Sequence, residues 1–337
     1  MFVSVVPGMA VLVAKDAERL PGVRVTNTGF DGRSDVLLLE VTKGGQDALR
    51  QLPTIEDLFI EVGRTMRSSG DKPQWIARRI WRPERTGKAL SVWSAYQGPL
   101  AAAMTYRVIA RVLQESSFLR TELRRALTHV IALDRPRWKV ADPARIEIWI
   151  GEYRPGYFVA GLRLSSRAMR QHEGREVERH GALRPTVAAM MVRLAGEPSG
   201  LLLDPCSGSG TILSEALVAG WPTVHGSDID ATAVRIAKQN APGATVTQGD
   251  VRKIDRPTAS ADAVVSNLPF GQQYELEGVE FSAALAEMAR VTRPGGRVIV
   301  LVPDISDDAI PDSLRLSQRI PIRILGMKTT VWAYDRV

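Results

Sequence analysis

Three stretches of the 337-residue chain carry residue types and spacings that can do chemistry. The first, Leu201-Leu202-Leu203-Asp204-Pro205-Cys206-Ser207-Gly208-Ser209-Gly210-Thr211, reads as an apolar strand running into a small-residue turn that opens a helix, where a ligand can approach the backbone closely. It is not a phosphate loop, because GxxxxGK[ST] is absent, and Leu213 stands where a dinucleotide fingerprint needs its third glycine. A carboxylate at the strand end, Asp204, repels a pyrophosphate but suits a ligand bearing ammonium and sulfonium charges. S-adenosylmethionine is such a ligand, and it needs no metal.

Two downstream carboxylates fit the same ligand. A strand over Thr223–Ser227 leads to Asp228 and Ile229, and a carboxylate there can accept both ribose hydroxyls, with Asp230 as the alternative. Gly249-Asp250-Val251 follows a further strand and sets Asp250 against an adenine amine. Taken singly, Asp228 could be a helix cap and Asp250 a turn residue; their order in one βαβ series makes the joint reading the stronger.

The third stretch is Asn267-Leu268-Pro269-Phe270-Gly271, after a strand over Ala263–Ser266. An Asn-x-Pro turn is ordinary punctuation in isolation. Behind a sulfonium site it has a chemical reading. A conjugated exocyclic amine is a poor nucleophile, and if the Asn267 carboxamide oxygen and the Leu268 carbonyl accept its two N–H bonds, its lone pair is held toward the methyl group. Phe270 can stack on a flipped-out base. Carbon-5 methylation of a pyrimidine would need a cysteine nucleophile, but the single cysteine, Cys206, sits in the glycine turn, where a small filler is required. One cysteine also cannot hold an iron–sulfur cluster.

These stretches require an open, mostly parallel α/β sheet from about residue 196 onward. Candidate strands at 201–203, 223–227, 263–266 and 297–302 alternate with helices at 211–219, 231–240 and 281–290, and 320–325 with 329–334 reads as a closing antiparallel hairpin. Ahead of this region, strands at 2–6 and 36–41 flank a helix, with turns at Pro7-Gly8 and Asp31-Gly32. Residues 81–98, rich in Arg and Gly with Trp81, Trp93 and Tyr96 interleaved, read as a strand pair or a loop. Leu123, Ala126, Leu127, Val130 and Ile131 recur at helical spacing behind a cap at Ser116 or Ser117, with Arg120, Arg124 and Thr128 on another face. Strands at 146–150 and 157–164 meet at Arg154-Pro155-Gly156, and the polar run 174–183 reads as a linker.

Charge is unevenly distributed. Residues 61–195 hold 25 Lys and Arg against 12 Asp and Glu, a balance of +13, while the remainder holds 19 against 25, a balance of −6. A polyanion-binding middle explains this asymmetry, the alternative being an Arg-biased composition spread over solvated faces. The length allows two or three domains. The apolar start lacks a preceding cation and is broken by Pro7-Gly8, so it reads as strand and turn rather than as a secretory segment. No uncharged apolar stretch reaches membrane-spanning length. A reducing, cytoplasmic compartment is expected, with no membrane and no obligatory protein partner.

On the residues Leu183-Arg184-Pro185-Thr186-Val187-Ala188-Ala189, the Asp204-to-Glu215 run and Asn267-Leu268-Pro269-Phe270-Gly271, the chain resembles THUMP-domain RNA methyltransferases, in particular those acting on N2 of tRNA guanosine. The resemblance implies a Rossmann-like class I methyltransferase domain over 196–337, with a mostly parallel seven-stranded sheet. It implies a ferredoxin-like region over 1–60, a THUMP-like RNA-binding domain over 61–165, and a linker with the start of the catalytic domain over 166–195. By the same resemblance, Thr186 lines the methionine end of the cofactor together with Asp204, Cys206, Ser207, Gly208, Ser209, Gly210 and Thr211. Asp228, Ile229, Asp250, Val251 and Asn267 complete the cofactor site, and Asn267 to Phe270 hold the target base. Arg184 joins Arg120 and Arg124 against tRNA. Asn-Leu-Pro-Phe-Gly stands closer to the branch acting on guanosine 6 of the acceptor stem than to the Asp-Pro-Pro-Tyr branch acting on position 10, and Leu268 replaces the first proline of the commoner tetrad while keeping its backbone carbonyl. Two alternatives stay open: an exocyclic-amine methyltransferase for DNA or ribosomal RNA, and a non-catalytic RNA-binding scaffold.

Overall fold

The structure is a computed structural model that describes residues 1–29, 35–42, 44–68, 70–113, 118–165, 169, 183–269, 278–324 and 327–337. The chain divides into two compact units, Met1–Met169 and Arg170–Val337.

The first unit contains β1 (Phe2–Val5), α1 (Ala10–Glu18), β2 (Val23–Asn27), β3 (Asp35–Val41), α2 (Gly45–Arg50), β4 (Asp57–Met66), α3 (Pro73–Ile80), α4 (Pro83–Gln97), β5 (Thr105–Arg111), α5 (Arg120–Asp134), β6 (Lys139–Val140), β7 (Ile146–Arg154) and β8 (Tyr157–Arg163). One eight-stranded sheet joins them in the order β2-β3-β1-β4-β8-β7-β5-β6. The expected boundary at residue 60 falls inside β4, which pairs with β1 on one side and β8 on the other.

Residues 81–98 are not a strand pair or loop: they hold the 15-residue helix α4. Pro83 starts it where a missing N–H costs nothing, Glu84 faces the positive end of the dipole, and Gly98 at φ 92° ends it. Its buried stripe is Thr86, Ala89, Leu90 and Trp93, a 3.6-residue period carried half by small or polar side chains. The tryptophans are core anchors: Trp93 Nε1 donates to the Arg163 carbonyl (3.0 Å) and Trp81 Nε1 to Asp134 (3.0 Å). Helix α5 buries Leu123, Ala126, Leu127 and Ile131 and leaves Arg120 and Arg124 exposed. Its first residue is preceded by Leu119, whose N–H is accepted by the Glu122 carboxylate (2.7 Å), and so the cap is not a serine; Ser116 and Ser117 lie outside the described residues, as does the Asp31-Gly32 turn.

The second unit contains α6 (Pro185–Leu194), β9 (Leu201–Asp204), α7 (Thr211–Val218), β10 (Thr223–Asp228), α8 (Ala231–Asn240), β11 (Thr245–Gln248), β12 (Ala261–Asn267), α9 (Gly278–Val291), β13 (Thr292–Val302), β14 (Leu314–Ile324) and β15 (Met327–Arg336). The seven strands lie in the order β11-β10-β9-β12-β13-β15-β14, with β15 antiparallel to both of its neighbours and the first five strands parallel. This is the expected α/β class I methyltransferase architecture. Nearly every residue of α6 is buried, so that helix belongs to the core of the second unit; the run expected as a linker, 174–183, lies outside the described residues except for Leu183. One face of the sheet closes over Val264, Leu268, Leu285, Met288, Val298, Val300, Trp332 and Tyr334. After β9 the chain winds outward through β10 and β11, then returns to lay β12 on the other side of β9. That reversal opens a crevice at the carboxyl ends of β9 and β12, the place where open α/β sheets bind ligands.

Candidate active site

The turn after β9 is built from left-handed glycines and fixed by its neighbours. Gly208 (φ 52°) and Gly210 (φ 81°) adopt backbone conformations that a side chain resists. A Cβ on Gly210 would lie 3.0 Å from Ala237 Cα in α8. The Gly210 N–H donates to the Ser207 carbonyl (2.7 Å), the Ser207 N–H to the Ser227 carbonyl (2.9 Å), and the buried Asn240 amide to the Ser209 carbonyl (2.9 Å). Ser209 and Thr211 share a hydroxyl contact at 3.4 Å. These bonds tie the turn to β10 and α8.

Asp204 is almost wholly buried beneath it. Its Oδ1 accepts from Ser266 Oγ (2.7 Å) and the Cys206 N–H (3.2 Å), while Oδ2 has no hydrogen-bond partner among the described residues. Burial pushes the carboxyl up to about 7, with the charge of Asp228 adding to the effect and the two hydrogen bonds opposing it. Burial likewise pushes the Cys206 thiol up, next to Asp204 and Asp228, which makes it a turn-filling residue rather than a nucleophile.

Asp228 and Asp230 differ in what they bond. Asp228 Oδ2 accepts from the Gly208 N–H (2.8 Å) and Oδ1 from the Asp230 N–H (3.0 Å), so this carboxylate faces the glycine turn. Asp230 caps α8 by accepting from the Thr232 N–H (2.8 Å). Ile229 between them is 62% exposed, an apolar side chain at the carboxyl edge of the sheet. Asp250 follows β11 as expected, but Arg252 holds it: the guanidinium donates to both oxygens, at 3.0 and 2.6 Å, and keeps the carboxyl below its usual range. Val251 is buried in the core beside Leu203 and Ile254.

Asn267 ends β12, one strand from Asp204. Its carboxamide oxygen is buried and has no hydrogen-bond partner among the described residues. Leu268 is fully buried in the core cluster and pins the turn that Pro269 continues. Phe270 lies outside the described residues. Thr186 is buried in the first turn of α6, which packs on α7, the helix that the glycine turn opens. Arg184 precedes α6 in the second unit, whereas Arg120 and Arg124 lie on α5 of the first, so the three expected RNA-contacting arginines are split between units.

Two site residues escaped the sequence reading. Ser266 fixes the orientation of Asp204, and its only signal was a hydroxyl one residue before the strand end. Asn240 braces the turn from the far end of α8, where an Asn reads as a helix terminus. With Asp204 Oδ2, Ser207 Oγ and Asn267 Oδ1 all buried and without a partner among the described residues at one end of the sheet, the site presents two kinds of acceptor and a hydroxyl. Unsatisfied buried oxygens cost about 1–3 kcal/mol each, which a cationic ligand and an amine would relieve. The donor set fits S-adenosylmethionine.

Residues 172–309 match the family model described as UPF0020, RMKL-like, methyltransferase domain. The U6 snRNA (guanine-N(2))-methyltransferase THUMPD2 of Bos taurus is 35% identical over 131 residues, covering 36% of this chain and 26% of that protein. The tRNA (guanine(6)-N2)-methyltransferase of Thermus thermophilus is 27% identical over 272 residues, covering 75% of this chain and 78% of its own. The chain thus spans about a quarter of the first relative and most of the second. Two solved structures share the fold: TrmN from Thermus thermophilus (TM-score 0.76, 21% identity, 100% of this chain and 99% of that one) and a predicted N6-adenine-specific DNA methylase from Listeria monocytogenes (TM-score 0.69, 15% identity, 100% and 96%). The glycine turn, the carboxylates after β9 and β10 and the Asn267 turn all fall within the segment of the second unit that matches the RMKL-like methyltransferase domain.

Proposed function

We propose that the chain is an S-adenosylmethionine-dependent RNA methyltransferase acting on N2 of a guanosine in tRNA, with guanosine 6 of the acceptor stem as the favoured position. The observation that carries this reading is the buried Asn267 Oδ1, which has no hydrogen-bond partner among the described residues, at the sheet end it shares with Asp204 Oδ2, equally without one. S-adenosylmethionine, when bound, supplies an electrophilic methyl group. Asp204 faces its ammonium, Asp228 its ribose hydroxyls, and exposed Ile229 offers an apolar face to the adenine. Asp250 reaches the adenine amine only by sharing or releasing Arg252. Asn267 Oδ1 accepts an N–H of the guanine amine and turns its lone pair toward the methyl group, and Phe270 stacks on the base. The amine loses its proton after methylation, when that proton has become acidic, so no strong base is needed at Asn267.

The first unit is read as the tRNA-gripping, THUMP-like part, through Arg120 and Arg124 on α5. The names of the two relatives share guanine N2 and differ in the RNA, which supports the base more strongly than the position. Cytoplasmic tRNA is the matching location of substrate; among the described residues no helix is long and apolar enough to cross a membrane. The test is incubation with methyl-labelled cofactor and separate tRNA, small nuclear RNA, ribosomal RNA and DNA pools, followed by digestion to nucleosides. Label in N2-methylguanosine from tRNA is expected; label in N6-methyladenosine, or in DNA, would replace this reading, and cofactor binding without transfer would leave a scaffold.

A further inference from the structure

The charge reading assigned the polyanion surface to residues 61–195 and left the rest of the chain net acidic, yet the terminal hairpin of the methyltransferase unit breaks that pattern. Arg319, Arg323 and Lys328 are exposed on β14 and β15. The registers Arg319↔Trp332, Pro321↔Thr330 and Arg323↔Lys328 put all three on one face of the hairpin. We propose that this face is a second RNA-contacting surface, on which these three cations hold phosphates flanking the target base. The proposal rests on the RNA methyltransferase reading above.

Three observations point to it. First, Arg323 and Lys328 are directly opposed across the strands, an arrangement that is itself destabilising, and neither has a carboxylate partner among the described residues. Their neighbours differ: Arg297 and Arg315 both reach Asp335, at 3.4 and 3.8 Å. Second, the Arg319 guanidinium carbon lies over the Trp332 ring, 4.5 Å from its centroid, and its contact with Asp304 is long (3.4 Å) and exposed. A guanidinium parked on an indole keeps its edge free for a phosphate. Third, the hairpin is at the right edge of the sheet. Asn267 pairs with Leu301, Leu301 with Val331 and Val331 with Ile320, so Arg323 and Lys328 project about three residues beyond the level at which β12 ends. Three strand spacings separate β12 from β14, a lateral distance of about 15 Å, within reach of a nucleotide a few phosphates from a base seated at Asn267.

Charged residues on an edge strand also prevent edge-to-edge pairing. That explanation covers Arg319 and Arg323 but not Lys328, which is on β15, inside the sheet. The opposite edge strand, β11, is Thr-Val-Thr-Gln and carries no cation at all.

The experiment uses the full chain and an unmodified tRNA transcript. An Arg323→Gln/Lys328→Gln variant is compared with wild type and with Arg235→Gln/Lys238→Gln, which removes two cations from the exposed side of α8. Binding is measured across a salt series, together with single-turnover methylation and thermal unfolding. The hairpin variant should lose between about 1.4 and 1.8 from the slope of log affinity against log salt, raise the apparent RNA KM about three- to tenfold, and keep wild-type cofactor affinity. Its melting temperature should stay level or rise, because a like-charge pair is gone. The α8 variant should change none of these. Equal losses in both variants would reduce the effect to net charge and overturn the proposal, as would a lowered melting temperature confined to the hairpin variant, which would make the cations structural. Wild-type protein that methylates tRNA while the hairpin variant binds it unchanged overturns the hairpin alone; wild-type protein with no RNA affinity overturns both readings.

Discussion

Ser266 Oγ donates to Asp204 Oδ1 at 2.7 Å, and the second carboxylate oxygen is buried with no partner among the described residues. A carboxyl in that setting holds its proton to about pH 7, because burial outweighs the two hydrogen bonds it accepts. A cationic ligand needs the ionised form, so binding must expel the proton below that pH. Affinity for S-adenosylmethionine should therefore rise with pH and level off above about 7, with a gain of about tenfold between pH 6 and pH 8. The sign for stability is opposite: the folded-state value is raised, so the ligand-free protein loses stability as pH climbs from about 4 to 7. Calorimetric titration across this range checks the first effect and thermal melts the second; Asp204→Asn should flatten both.

Asn267→Ala removes an acceptor that matters most while the amine pyramidalises. The loss should fall on turnover rather than on cofactor binding, at about 2.7–4 kcal/mol, or roughly a hundred- to a thousandfold in rate. Phe270→Ala should cost less, about 1–3 kcal/mol, and should raise the RNA KM. Single-turnover methylation at saturating cofactor, with circular dichroism as the folding control, measures both. Folded Asn267→Ala protein within about threefold of wild type would remove the amine mechanism.

Asp228→Ala should weaken cofactor binding by roughly 1.5–3 kcal/mol through lost ribose bonds. Asp228 also accepts the Gly208 N–H, so the variant loosens the turn as well as losing the ligand contact. Asp230→Ala should instead cost about 1 kcal/mol of stability as a lost helix cap, with little change in affinity. Undiminished affinity in folded Asp228→Ala protein would discard the ribose assignment.

Gly210→Ala should destabilise the second unit by about 1–3 kcal/mol, because φ 81° is strained for any side chain and the new Cβ would press on the α8 backbone. Gly220, also at positive φ (88°) but with open space around it, should suffer only the conformational part. Denaturant midpoints of the two variants separate strain from collision.

Paired Arg120→Ala and Arg124→Ala changes should reduce the salt slope of tRNA binding while leaving cofactor affinity alone. RNA binding retained in full at every salt concentration would take α5 out of the interface.

The methyltransferase unit was legible because its chemistry sits at strand ends, where a carboxylate, a glycine or an Asn after an apolar run stands out. Asp204, Asp228 and Asn267 are all of this kind. Helix α4 was not, because Thr86 and Ala89 supply half of its buried stripe and a period made of small residues barely registers; Pro83 and Gly98 were the better signals. The division at residue 60 came with the family resemblance, whereas β4 joins both sides by pairing with β1 and β8, contacts that depend on residues far away in sequence. The grip of Arg252 on Asp250 was equally invisible, since two adjacent-but-one charges in a turn say nothing about their rotamers.

The reversal of winding between β9 and β12 also governs when the site comes into being. Ser266 and Asp204 are 62 residues apart, and four elements must be in place before their hydroxyl and carboxylate can meet. Contacts of such separation carry the entropy of closing a long loop and form late. During synthesis, then, the glycine turn can fold onto β10 and α8 while the acceptor that orients the substrate has not yet arrived, and a nascent domain stalled before β12 would have half a cofactor site and no means of using it.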